Sequence, residues 1–520
     1  MDIKILAKEI FTQERILNLK IFLIASLISY TIGGIFCIRY ADEIVNAAKL
    51  FEKGGADFTL KVKETIGGMH RWQQVFVGCL LLGFGIYIGR IAFFYPFHVD
   101  EAFSFVYLVS KGAGTISAYY PGPNNHILYL HMCNWVSLFT SNPIVIMRLP
   151  VMVCALILMA GVFLWLYRTY GFWPAIGGLV FFVGAAPMLF YAAHGRGYIL
   201  MLLFTLMSFY TALKIYESVF YKVVFVICSV LGFYTIPVFL YPYAALLISQ
   251  LLVFVLYKKY PVKTFVLSHI AIAVLVAFLY APVMLFSGWK AVFENGWIQP
   301  MDYQQMFANI PQWLTDVQVF VWETKIVAVL VAICLVLSLS SLVAQKERKE
   351  EFVMLICFFG IIPAILLVQR VLPFPRTLLF MAIPAVVLIA HLLQRALQVR
   401  KWLVALPMAV ILLVVGYGVE EHERKMATGF PFYQKLHATV PEIIQAKPRR
   451  ILAGDDIYHV FFKHYVNQEG LETKVDFEAQ KAVYDFLVLP VGKNLPSGID
   501  LKKYSEVHKD AFILVYSLNK

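Results

Sequence analysis

About twelve stretches of roughly 20 apolar residues recur along this 520-residue chain, and no other feature constrains its fold as tightly. A run of about 20 such residues is long enough, as a helix, to cross the hydrocarbon core of a bilayer. Inside that core every peptide group must find its partner within the protein, which leaves helices or closed barrels. Candidate spans fall at 19–38, 75–95, 144–167, 173–191, 198–216, 222–238, 239–257, 264–286, 325–343, 351–369, 376–394 and 402–419. Only 15% of the chain is charged and 60% is hydrophobic, where soluble domains carry about 25% charge. The sequence therefore specifies a polytopic α-helical membrane protein.

A net charge of +12 would suit a nucleic-acid partner if the cations shared one face. Instead they sit in short clusters between spans, where they act as topology signals, and nucleic acid is excluded. Arg168, Lys214 with Lys222, Lys258 with Lys259 and Lys263, Lys346 with Arg348 and Lys349, and Arg395 with Arg400 and Lys401 mark the cytoplasmic loops. The intervening loops hold only Lys111, Arg196, Lys290, Arg370 and Arg376, and are assigned to the outside of the cytoplasmic membrane. The N-terminus does not have the layout of a removed signal peptide, so the first span is expected to stay. Residues 1–74 then form a span and a weakly amphipathic cytoplasmic linker. From about residue 421 the chain turns polar, and RRILAGDD, YDFLVLP and AFILVYSL read as strands around a helix at HVFFKHYV. Residues 421–520 are expected to form a small extracytoplasmic α/β domain. Six of the seven cysteines lie in apolar runs, which implies no disulfide framework.

Chemistry concentrates in the surface loop 96–142. Asp100 and Glu101 follow directly on a span, and the apolar segment after them suits the membrane surface, holding the acids at the mouth of the bundle. A carboxylate there can take a proton from an acceptor hydroxyl or hold a metal ion. Asn125 and His126, in a Pro-bounded turn, are candidates for hydrogen-bonding substrate, with an interfacial histidine as the plainer reading. His126 and His131 are five residues apart, a spacing that does not face two metal ligands one way on a helix. Arg196, between Gly195 and Gly197 and before Tyr198, and Arg376, after two prolines, suit a phosphate at headgroup depth. Snorkelling to lipid headgroups is the alternative use of both. Gly85 and Gly89 lie inside a span with no following lysine and read as helix packing rather than a nucleotide loop.

The Asp-Glu loop after a span, the Gly/Pro turn leading to Asn-His, Arg196-Gly197-Tyr198, and Pro375-Arg376 followed by LLFMAIP resemble the GT-C superfamily of membrane glycosyltransferases. Within it the chain is most similar to the branch of protein O-mannosyltransferases and lipid A aminoarabinose transferase, over residues 75–420. The resemblance implies transfer of a sugar from a polyprenyl-phosphate donor to a lipid, glycan or protein acceptor. It assigns the catalytic carboxylate to Asp100 with Glu101 as companion, and a donor-phosphate contact to Arg376. Many members carry His-Pro-Pro or an acidic residue with Lys-Pro where this chain has Asn124-Asn125-His126-Ile127. That departure leaves a divalent cation open as cofactor; no other cofactor is implied. In-line displacement with Asp100 as base would invert the sugar. A transporter or flippase of lipid-linked sugars and a noncatalytic assembly subunit are the competing readings. The charges lie at span ends rather than midplane, which favours the enzyme. Trp289, Trp297, Trp313 and Trp322 in the outside loop 287–324 are expected to shape acceptor specificity.

Overall fold

The computed structural model describes residues 39–520 except 123–124, 258–261, 294–298, 323–324, 344–347, 400, 481, 494–498 and 520, with scattered positions before 39. The expected span 19–38 falls largely outside the described residues. An amphipathic helix, α1 (Ala41–Gly67), precedes α2 (Arg71–Phe94). The surface loop is itself helical, with α3 (Val99–Tyr107), α4 (Ala113–Ala118) and α5 (Ile127–Val136). The bundle continues through α6 (Pro143–Tyr170), α7 (Phe172–Gly184), α8 (Ala186–Ala193), α9 (Tyr198–Leu213), α10 (Val219–Thr235), α11 (Leu240–Tyr257) and α12 (Val262–Phe286). After it come α13 (Trp289–Phe293), α14 (Tyr303–Trp322), α15 (Lys325–Val343), α16 (Lys349–Gln369), α17 (Ala382–Val399) and α18 (Ala405–Gln445).

Among the described residues eight helices are long and apolar enough to cross a membrane, and the pair α7 and α8, bent by 70°, makes a ninth if it is one span. The two other expected spans are the shorter apolar helices α9 and α10. With its 16 residues α9 rises about 24 Å, less than the roughly 30 Å of hydrocarbon core. The turn that starts α9 is buried against the loop helices, with Gly195 N–H bonded to Glu101 of α3. Outside loop 287–324, expected to shape acceptor specificity, is mostly the helices α13 and α14.

The boundary expected at 421 falls in the middle of α18, whose 41 residues run unbroken to Gln445. Polar composition suggested a new domain there, but Tyr433, Leu436, Val440, Ile443 and Ile444 are buried at helical spacing and decide the local structure. The sheet begins only at β1 (Arg450–Ala453), followed by α19 (Asp456–Gln468), β2 (Lys474–Asp476), β3 (Phe486–Pro490), β4 (Tyr504–Lys509) and β5 (Ile513–Leu518). Strand order is β2-β1-β3-β5-β4, with β1 parallel to β2 and β3, and β5 antiparallel to β3 and β4. The three expected strands are β1, β3 and β5; β2 and β4 are short or mostly exposed and lack a clear apolar signal.

Candidate active site

The Asp100-Glu101 pair is built into a helix start. His98 caps α3, its ring accepting from the Asp100 N–H at 3.3 Å, while the His98 N–H donates to Glu101 Oε2 at 2.9 Å. Carboxylates in a first turn also complement the positive end of the helix dipole. Neighbours on a helix point about 100° apart, and here the two acids part company. Glu101 turns inward and is 1% exposed, whereas the Asp100 side chain is 36% exposed.

Arg148, in the second turn of α6, closes on Glu101 from within. Its Nε donates to Oε1 at 2.7 Å and its Nη2 to Oε2 at 2.5 Å, a bidentate pair. The remaining guanidinium hydrogens go to the carbonyls of Ala92, Tyr95 and Pro96 at 2.7–2.9 Å. Gly195 N–H completes the carboxylate's shell at 2.7 Å. A side chain at Gly195 would meet Tyr129 Oη at 2.7 Å and Glu101 Oε1 at 2.9 Å, so only glycine lets the chain approach this closely. Burial opposes ionisation of Glu101, but the Arg148 charge and its hydrogen bonds outweigh it and hold the carboxyl down at about 2. Glu101 thus ties α3 to α2, α6 and the turn before α9. The sequence reading passes over Arg148 because it opens a span, yet a lone arginine inside an apolar run was itself the signal.

Asp100 forms an ion pair with Arg196, which that same turn delivers. Arg196 is 5% exposed, and its guanidinium carbon lies 5.8 Å from the Tyr198 ring centroid. Burial acts against the Arg196 cation, but Asp100 raises its affinity for the proton beyond the ordinary value. His126 packs edge-on against Tyr198 at 5.2 Å and against the bare Cα of Gly197, where an added Cβ would come within 2.8 Å of Nδ1. Both ring nitrogens of His126 are buried without a hydrogen-bond partner among the described residues. Burial and the nearby Arg196 push its pKa well below the ordinary histidine value, so the ring is neutral. Asn125 spends its amide nitrogen on the loop itself, donating to the Tyr119 carbonyl at 2.8 Å and Ile116 at 3.3 Å. His131 is drawn away to Ser117 at 2.9 Å, so the two histidines do not meet.

Arg376 lies in the first turn of a 3-10 segment, Pro375–Met381. Trp313 of α14 donates its indole N–H to the Pro373 carbonyl at 2.7 Å, fixing the approach to Arg376 and leaving Trp313 largely buried rather than presented to a ligand. The guanidinium stacks on Phe374 at 4.5 Å, and its Nε is buried without a hydrogen-bond partner among the described residues. Arg196, Tyr198 and Arg376 line one cavity of about 370 Å³, with Tyr120, Tyr241 and Gln369 on its walls. Two cations from separate segments thus line one cavity, and Asp100 is paired to one of them. Such a site can receive an anionic group on an apolar tail and set a carboxylate beside it. Among the described residues no group of three or more His, Cys, Asp or Glu side chains is arranged to hold a metal ion.

The C-terminal domain touches this machinery directly. His437 of α18 bonds through Nε2 to the Phe97 carbonyl at 3.0 Å and through Nδ1 to the Tyr465 hydroxyl of α19 at 2.6 Å. A neutral ring can donate only once, so Nε2 carries the hydrogen and Tyr465 donates to Nδ1.

These features define a polytopic helical membrane protein with a cationic cavity beside a loop carboxylate. The structure of ArnT from Cupriavidus metallidurans in the apo state superposes with a TM-score of 0.56 at 11% identity, covering 85% of this chain and 98% of that one. ArnT from the same organism bound to undecaprenyl phosphate gives 0.51 at 12% identity, covering 84% and 97%. No protein-family model matches the chain, and no curated protein does either.

Proposed function

We propose that this protein is a membrane glycosyltransferase that moves a sugar from a polyprenyl-phosphate donor to a lipid, glycan or protein acceptor. The convergence of Arg196 and Arg376 on one cavity, with Asp100 paired to Arg196, carries the reading. Its ArnT-like fold supports it, one such structure being bound to undecaprenyl phosphate. The basic clusters at the other ends of the spans support an extracytoplasmic site.

The donor is a phosphodiester with one negative charge, and its phosphate gains charge as the bond to the sugar breaks. Arg196 and Arg376 therefore hold the departing phosphate more strongly than the bound donor, the differential binding that lowers a barrier. Phosphate in the cavity also competes for Arg196 with Asp100. Asp100, released from its cation, accepts the acceptor's proton while the acceptor oxygen attacks the anomeric carbon. The carbon–oxygen bond to phosphate breaks with its electron pair leaving on the phosphate, and the sugar inverts. Glu101, with both oxygens saturated by Arg148 and backbone N–H groups, positions α3 and takes no proton.

Purified protein is assayed with synthetic undecaprenyl-phosphate sugars and envelope extract from a deletion strain as acceptor source. Transfer that falls about 100- to 10,000-fold in Asp100→Asn, with the protein still folded, supports the reading. Donor that crosses vesicles unchanged would make the protein a flippase, and near wild-type turnover in Asp100→Asn would move the chemistry elsewhere.

A further inference from the structure

A second cavity, of about 460 Å³, lies among α1, α6, α9 and the start of α16, and shares no lining residue with the first. About 20 residues of α6 separate Arg148, at the candidate site, from Arg168, on this second cavity. That is about 30 Å of helix, the thickness of a hydrocarbon core, so the two cavities lie at opposite membrane faces. Apolar walls from Leu164, Trp165, Leu206 and Leu213 lead to a charged rim. The rim cations come from three elements: Arg168 in the last turn of α6, Lys214 just after α9, and Arg348 capping α16.

Each charge on the rim can be accounted for. Arg348 donates to the Thr169 carbonyl at 3.0 Å, stacks on Tyr170 at 4.6 Å, and lies 3.6 Å from Glu351. Glu351 also accepts from the Tyr170 hydroxyl at 2.6 Å, and Lys214 pairs with Glu217 at 2.7 Å. Arg168 makes no ion pair or hydrogen bond among the described residues, which leaves the rim one cation in excess. Compensating the negative ends of α6 and α9 explains why Arg168 and Lys214 sit there, but it does not explain a roomy apolar cavity beneath them. Phe58 and Val62 of α1 close it from the side, and an amphipathic helix with an acyl-sized cleft under it belongs at a lipid interface.

We infer that this cavity binds an anionic phospholipid of the leaflet opposite the transfer site, the phosphate at Arg168 and Lys214 and an acyl chain against Trp165. Full-length protein in uncharged detergent is titrated with phosphatidylglycerol carrying brominated acyl chains, and quenching of tryptophan emission is read. A saturable component that disappears in Trp165→Phe is expected. Arg168→Gln with Lys214→Gln should weaken it roughly 10- to 30-fold. Val62→Phe, which narrows the cavity and leaves every charge in place, should weaken it several-fold in a protein that still folds. Equal quenching by brominated phosphatidylcholine, indifference to both sets of variants, or displacement of the lipid by equimolar inorganic phosphate would each overturn the inference.

Discussion

Replacing Glu101 by Gln keeps the side chain's shape and removes its charge, and the structure says what that costs. Four donors converge on the carboxylate, two on each oxygen: Arg148 Nε and Gly195 N–H on one, Arg148 Nη2 and His98 N–H on the other. Glutamine has one acceptor oxygen, so whichever way the amide sits, its NH2 faces two donors. The Arg148 cation meanwhile keeps its three carbonyls but loses its counter-charge. Unit charges about 4 Å apart interact by about 4 kcal/mol at an effective dielectric of 20, in line with the 3–5 kcal/mol usual for breaking a buried pair. At the sensitivity of large domains this is a fall in melting temperature on the order of 5–10 °C. Thermal unfolding of purified Glu101→Gln in detergent, followed by intrinsic fluorescence, measures it. Transfer by the fraction that stays folded should survive far better than in Asp100→Asn. A variant that melts with the wild type yet has lost transfer would refute the reasoning and make Glu101 a reacting group.

Arg196→Gln and Arg376→Gln should each weaken donor use by about 1.5–3 kcal/mol, the worth of a hydrogen bond to a charged group. Lysine should rescue them only in part, and an unchanged donor KM in both would return the two arginines to lipid headgroups. Gly197→Ala should drive a methyl into His126 and reduce transfer with little effect on melting; wild-type turnover would show that His126 can move without consequence. Stability should fall with acidification below the ordinary histidine pKa of about 6.5. Burial and the nearby cation Arg148 depress His194 to about 3 against the pull of Glu101. The folded state therefore binds fewer protons than the unfolded one and loses about 1.4 kcal/mol per pH unit for this ring as pH drops from 6.5 toward 3. Glu101, held at about 2, adds its own loss only below the ordinary carboxyl value. Melting curves from pH 7.5 to 5 check the sign, and a flat profile would contradict it.

Apolar runs of membrane length determine helices on their own, because a backbone in hydrocarbon has no other way to satisfy its polar groups. The described spans were legible for that reason, and Asp100, Arg196 and Arg376 stood out as candidates because they are among the few charges at the predicted outer ends of spans. The strands β1, β3 and β5 were legible from their short apolar runs. The ranking of Asp100 over Glu101 came from the family resemblance, but the partner of Glu101 was not legible, since only the folded loop turns that carboxylate inward onto Arg148. The Asp100 to Arg196 pair joins residues 96 positions apart, and only packing of the loop helices over the turn before α9 brings them together. The run of α18 past residue 421 to Gln445 was hidden for a similar reason. The buried stripe on α18 gains its meaning from α19 and the loop it packs against, and His437, an ordinary polar residue in sequence, becomes the link between α19 and the loop that carries Asp100 only there. Local chemistry fixes what each segment can be, whereas distances between distant charges are set by how helices stack, and the site is made of such distances.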